Sequence, residues 1–306
     1  MRACSLPYST VPLCFARFSS QCLLVLLAAL LLAGCRSTPR LPVGPEVPPL
    51  RFLLTFDDGP SIAAKRNPTE QVLRTLASNS VQPDIKAIFF VQTRAIRGGG
   101  TPQGRELIRR ELALGHLLGF HTATPGHSNH LGMSSDVLRA SLQLGMADHA
   151  ELGAAPRLVR PPMWAYNDRT LTVYADFGLK ALLTDVTAND GKIIPPYGSP
   201  RRHQHMDYQM DLLRGRLLAG ELPLVQGVVP VIVTFHDPNP FTAEHLAEYL
   251  EILVSAARHQ GLRVSEQPFY GRGDDIEAVA LARTIAAGEP ALRIPGFWHS
   301  LFWMKP

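Results

Sequence analysis

A chain of 306 residues, 46% hydrophobic and 18% charged, carries enough apolar material for a substantial core and lacks the composition of a disordered protein. Its formal charge of +4 is too small for a nucleic-acid footprint, so no nucleic-acid partner is expected. All four cysteines, Cys4, Cys14, Cys22 and Cys35, stand near the start of the chain, which leaves the rest without a thiol for a disulfide, a zinc–thiolate site or a nucleophile.

In chain order, Arg2 and Arg17 precede an apolar run from Cys22 to Ala33 that ends in Leu32-Ala33-Gly34-Cys35. The run falls short of the roughly 20 apolar residues that span a bilayer. It resembles a bacterial lipoprotein signal with its lipobox. That resemblance implies removal of residues 1–34 and lipidation of Cys35, whose several acyl chains would make a durable membrane anchor. Arg36 after the cysteine, in place of Asp, fits by the same analogy an outer-membrane destination in the cell envelope, facing the periplasm. Residues 35–50 then read as the lipidated cysteine followed by a proline-spaced, semi-rigid spacer.

From Arg51 onward short apolar runs alternate with helical patterns, the signature of an α/β fold with a largely parallel sheet. Strands are predicted at 51–56, 86–92, 180–184 and 230–235, each apolar enough to be covered on both faces. Helices are predicted from Pro68, after Ser134, and from Thr242 to a stop at Gly261, the last with one apolar stripe formed by Leu246, Leu250, Leu253 and Val254. Gly98-Gly99-Gly100 reads as a flexible insertion, without the Lys-Ser/Thr or Gly-x-Gly-x-x-Gly frame of a phosphate loop. A barrel domain over 51–270, an ordinary size for such a fold, leaves 271–306 as an extension. That extension is expected to form a helix at Asp274–Ala287 and to pack its terminal aromatics, Phe297 to Trp303, on the barrel.

The chemistry concentrates at Thr55-Phe56-Asp57-Asp58-Gly59-Pro60, where a buried strand breaks into a loop. Successive residues at a strand end project differently, so the two carboxylates suit one base and one metal ligand better than a facing acid/base pair. Histidines to complete a metal site are available at His121, His127, His130 and His236.

Five segments in order resemble the NodB-type polysaccharide deacetylases of carbohydrate esterase family four, from about Phe52 to Val264. They are Thr-Phe-Asp-Asp-Gly-Pro at 55–60, Gly-His-Leu-Leu-Gly-Phe-His-Thr at 115–122, Arg-Pro-Pro-Met-Trp-Ala-Tyr-Asn at 160–167, Thr-Asp-Val-Thr-Ala-Asn-Asp-Gly at 184–191 and Val-Thr-Phe-His-Asp at 233–237. The resemblance implies a distorted (β/α) barrel of the polysaccharide deacetylase type. It makes Asp57 the catalytic base, Arg160 the residue that orients it, Asp58 and His121 metal ligands, and His236 the general acid tethered by Asp185. The family's second histidine position is Pro125 here; an insertion makes His127 the third ligand, with His130 the alternative. The Met163 N–H would face the developing oxyanion. Met163 stands for the family's aromatic residue, Trp164 for its Gly and Asn189 for its Trp, so the substrate-facing surface is expected to differ.

The activity so implied is metal-dependent removal of N-acetyl groups from an N-acetylglucosamine-type polysaccharide or peptidoglycan. One divalent ion is expected, with zinc named first for its fit to two nitrogens and a carboxylate, and with cobalt, nickel and iron compatible. The competing readings are a carbohydrate-binding lipoprotein that has lost catalysis and an esterase removing O-acetyl groups from a xylan-type polymer.

Overall fold

A computed structural model describes residues 48–190 and 201–289. The signal, Cys35, nearly all of the spacer and the aromatic tail after 290 lie outside the described residues. A contact-based division separates Met1–Arg40 from Leu41–Pro306, and the fold that follows belongs wholly to the second unit. Among the described residues no helix is long and apolar enough to cross a membrane.

The domain is a mixed α/β half-barrel. Its strands are β1 (Leu50–Asp57), β2 (Ile88–Gln92), β3 (Leu117–Thr122), β4 (Leu158–Val159), β5 (Lys180–Leu182), β6 (Val186–Thr187), β7 (Val229–His236), β8 (Val264–Phe269) and β9 (Thr284–Ile285). They run in the order β6-β7-β1-β2-β3-β4-β5-β9, all parallel except β9, which lies antiparallel on β5. β8 pairs the early part of β1, Leu50 with Val264 and Phe52 with Phe269, before β2 takes over at Thr55. β5 and β6 follow each other along the chain without pairing, and this is the seam of the half-barrel.

Alternation along the strands sorts the core into an outer and an inner set. Phe52, Leu54 and Phe56 of β1, with Phe89, Val91, Val231 and Val233, face outward into the cluster shared with helices α1 (Pro68–Ala77) and α6 (Pro240–His259). Leu53, Ile88, Phe90, Leu158, Leu182 and Ile232 face inward and pack on one another. The inward positions change character toward the strands' C-terminal ends. Above Leu53 come Thr55 and Asp57, and above Ile232 come Thr234 and His236. An apolar base under a polar mouth is therefore written into every second residue. Gly119 belongs to this inner set, and a Cβ there would lie 2.4 Å from the Phe90 ring.

The remaining helices are α2 (Pro102–Ala113), α3 (Ser135–Glu151), α4 (Asp168–Asp176), α5 (Arg202–Leu218) and α7 (Gly273–Leu281). Ser134 caps α3 by accepting the Val137 N–H, and Asn67 with Pro68 starts α1. α6 begins at Pro240, not Thr242, because Asn239 takes the cap and accepts the Phe241 N–H. The final helix ends at Leu281, short of the expected Ala287, since Thr284 and Ile285 join the sheet as β9. Ile276, Val279 and Ala280 of α7 pack among the inward residues, so this segment forms part of the barrel core. Gly98 and Gly99 are buried in a tight turn in which the Gly98 and Gly100 N–H groups both donate to the Ala95 carbonyl, a packed corner where a flexible insertion was expected.

Candidate active site

Five strand ends supply the site. Asp57 is the last residue of β1 and lies in register with Phe90 of β2 and His236 of β7. Asp58 follows at φ 73°, in the left-handed region of the backbone. Gly59 then leaves room for a buried neighbour, because a Cβ there would lie 2.2 Å from Asp237 Oδ1.

His121, near the end of β3, brings Nε2 to 3.0 Å from Asp58 Oδ1, and His127, in the loop beyond, brings its Nε2 to 3.3 Å from the same oxygen. The two ring nitrogens are 3.3 Å apart. The His121 Nδ1–H donates to the Arg160 carbonyl at 2.9 Å, which fixes the tautomer and turns an Nε2 lone pair toward Asp58. Burial lowers the His127 pKa despite the nearby Asp58 charge, so this ring too offers a lone pair. Burial alone would raise the Asp58 carboxyl, but the hydrogen bond and charge of His121, with His236 and His127, hold it well below the usual carboxylate range. All three ligand atoms lie within 4.8 Å of one another, and two imidazole nitrogens with one carboxylate form a donor set that fits a divalent ion. His130 does not join them. It is fully buried, hydrogen-bonded through Nδ1 to the Tyr174 hydroxyl at 2.9 Å, and pushed down to about 3 by burial.

Beside this cluster Arg160 lies completely buried, its guanidinium stacked on the Phe90 ring at 4.5 Å. It donates to Thr234 Oγ1 at 2.6 Å and Thr55 Oγ1 at 3.0 Å and stands 3.8 Å from Asp57 Oδ2. Asp57 is itself buried, and its Oδ1 makes no hydrogen bond among the described residues. Met163 and Trp164 follow in a short turn, both at φ 58°, with Met163 exposed.

His236 brings one correction. The carboxylate expected to tether it, Asp185, lies elsewhere, at the seam, accepting from Arg283 at 2.6 Å, Arg216 at 2.9 Å and the Ile232 N–H at 2.9 Å. Asp190 does the tethering. Its Oδ1 accepts from His236 Nδ1 at 2.8 Å and its Oδ2 from the His236 N–H at 2.8 Å and Thr242 at 2.6 Å. Burial would lower the His236 pKa, but the charge and hydrogen bond of Asp190, joined by Asp58 and Asp57, push it up to about 10. Its Nε2, 4.0 Å from Asp58 Oδ2, is therefore a protonated donor at neutral pH.

Gln92, at the end of β2, was not singled out from sequence. Its side-chain amide donates to Asp58 Oδ1 at 2.8 Å, and its backbone N–H to the Gly59 carbonyl at 3.0 Å.

Residues 45–182 match the family described as polysaccharide deacetylase. That match takes in a little under half of the chain. Among curated proteins, a peptidoglycan-N-acetylglucosamine deacetylase of Listeria monocytogenes is 34% identical over 153 residues, covering 48% of this chain and 29% of that protein. A chitooligosaccharide deacetylase of Sinorhizobium fredii is 34% identical over 142 residues, covering 45% of this chain and 58% of that protein. The chain thus spans less than two thirds of the length of these relatives. Among solved structures, the chitin deacetylase of Colletotrichum lindemuthianum shares the fold with a TM-score of 0.51 and 25% identity, over 72% of this chain and 86% of that one.

Proposed function

We propose that this protein is a metal-dependent hydrolase that removes N-acetyl groups from an N-acetylglucosamine-type polysaccharide or peptidoglycan. The observation that carries this reading is the convergence of Asp58, His121 and His127 between a buried Asp57–Arg160 pair and a protonated His236–Asp190 pair. An amide is a poor electrophile with a poor leaving group, so its hydrolysis needs a polarised carbonyl, a strong nucleophile and a proton donor. A divalent ion, when bound by Asp58, His121 and His127, supplies Lewis-acid polarisation and lowers the pKa of water; zinc fits the donor set first, with cobalt, nickel and iron compatible.

The chain's own groups complete the reaction. Asp57, held beside Arg160, accepts the proton of the attacking water at Oδ1. The Met163 N–H is assigned to the developing oxyanion. His236 gives its Nε2 proton to the departing nitrogen, with Asp190 fixing Nδ1–H and stabilising the imidazolium until transfer. Acetate and a sugar amine leave. We propose further that lipidated Cys35 anchors the protein in the cell envelope, on the periplasmic side of the outer membrane, where an acetylated polysaccharide would be its partner.

Acetate release is to be measured on peptidoglycan, chitin oligomers, poly-N-acetylglucosamine and acetylated xylan, alongside metal analysis of the purified protein. The expected result is turnover of an N-acetylated substrate, with Asp57→Asn and His236→Ala each lowering kcat by about 10²-fold or more while metal content persists. A metal-free, inactive wild type would favour the binding lipoprotein, and acetate from xylan alone would favour the O-acetyl esterase.

A further inference from the structure

Trp164 combines backbone strain with a half-exposed aromatic ring beside the site. Both it and Met163 have φ 58°, a conformation in which a bulky L-residue is an outlier and glycine is at ease. Strain of this kind clusters where function holds a side chain in place. The indole lies over Arg160, 4.8 Å from the guanidinium carbon, on a cation that also stacks on Phe90. Arg160 has no exposed surface, whereas Trp164 is only partly buried, so the indole covers the cation and keeps part of its own surface open. Arg160 is also the residue whose carbonyl fixes His121 and whose guanidinium reaches Asp57. The indole therefore stands one side chain away from both the base and the histidine cluster.

We propose that Trp164 is a specificity-determining residue whose open face stacks on the pyranose ring of the acetylated sugar. An indole face is negative at its centre and apolar across its breadth, which suits the polarised C–H face of a hexose. The proposal rests on the deacetylase reading and names the ring that this site grips.

The test compares wild type with Trp164→Ala and Trp164→Phe on chitopentaose and on 4-nitrophenyl acetate, which has an acetyl group and no pyranose. Trp164→Ala is expected to raise KM for chitopentaose about 10-fold, with Phe between, while kcat/KM for the aryl ester changes by less than about threefold. Equal losses on both substrates would mean that Trp164 acts only through Arg160, and no loss on either would mean that it contacts nothing; each outcome overturns the proposal. A wild type that releases no acetate from chitopentaose, peptidoglycan or poly-N-acetylglucosamine overturns instead the deacetylase reading beneath it. Folding is checked by melting Trp164→Gly, which relieves the positive φ and is expected to melt at or above wild type. Should the Ala variant unfold, quenching of tryptophan fluorescence by chitopentaose in wild type, lost in Trp164→Phe, supports the stacking, and its persistence in the Phe variant refutes it.

Discussion

Three polar side chains crowd around a single oxygen, Asp58 Oδ1: His121, His127 and Gln92 at 3.0, 3.3 and 2.8 Å. The amide cannot ionise, so its contribution is to hold the carboxylate still while leaving lone pairs for a cation. Replacing it by an apolar residue of similar length, Gln92→Met, should lower divalent-metal affinity about 10- to 100-fold, measured by competition with a chromophoric chelator, with turnover recovering at saturating metal. Unchanged affinity would reduce Gln92 to a packing residue. Asp190 acts through His236 in a comparable way, and Asp190→Asn should cost about 10²-fold or more in kcat because the imidazole loses the charge that fixes its tautomer. What the sequence disclosed at this scale followed from how local each signal was. Asp57 and Asp58 were legible because a strand end and an Asp-Asp-Gly-Pro turn coincide. The role of Asp190 in place of Asp185 was not, because both lie within one irregular stretch whose path decides which side chain points inward, whereas His127, put ahead of His130 by the resemblance, is the one that stands beside Asp58. Gln92 gave no signal at all, since an uncharged residue ending an apolar strand belongs to no catalytic pattern.

Between elements, the weak place is the β5–β6 seam, where no ladder of hydrogen bonds joins the two strands. Asp185 closes it. Its carboxylate, 1% exposed, draws in Arg216 from α5 and Arg283 from the segment after α7, and it also caps the Ile232 N–H of β7. Removing the charge with Asp185→Asn leaves the buried Arg283 side chain without its carboxylate partner and Arg216 with Glu221 alone, and should cost about 3 kcal/mol of stability. Denaturant unfolding would read this directly, while kcat per folded molecule should stay near that of wild type; a selective loss of kcat would return Asp185 to the catalytic apparatus. The long buried strands and the capped helices could be read from sequence because apolar run length and cap residues are local properties. The two-residue strands β4, β6 and β9 could not, since pairing with distant partners is all that makes them strands.

At the scale of the whole molecule, stability depends on buried carboxyls that take no part in the proposed chemistry, and Glu111 is one of them. Glu111 of α2 is completely buried, and neither side-chain oxygen has a hydrogen-bond partner among the described residues. Burial, reinforced by the negative charge of Asp237, pushes its pKa well above the ordinary 4.5. The sign of the consequence follows from proton counting. Above about pH 4.5 the unfolded chain releases this proton and the folded one retains it, so stability falls as pH rises, by at most about 1.4 kcal/mol per unit for a single group. The decline continues until the pH passes the raised pKa of the folded state. Glu111→Gln keeps the shape and has no proton to lose. Its Tm relative to wild type should therefore increase as the pH rises from 5 toward the raised pKa of the folded carboxyl, and a difference independent of pH would show that Glu111 titrates alike in both states.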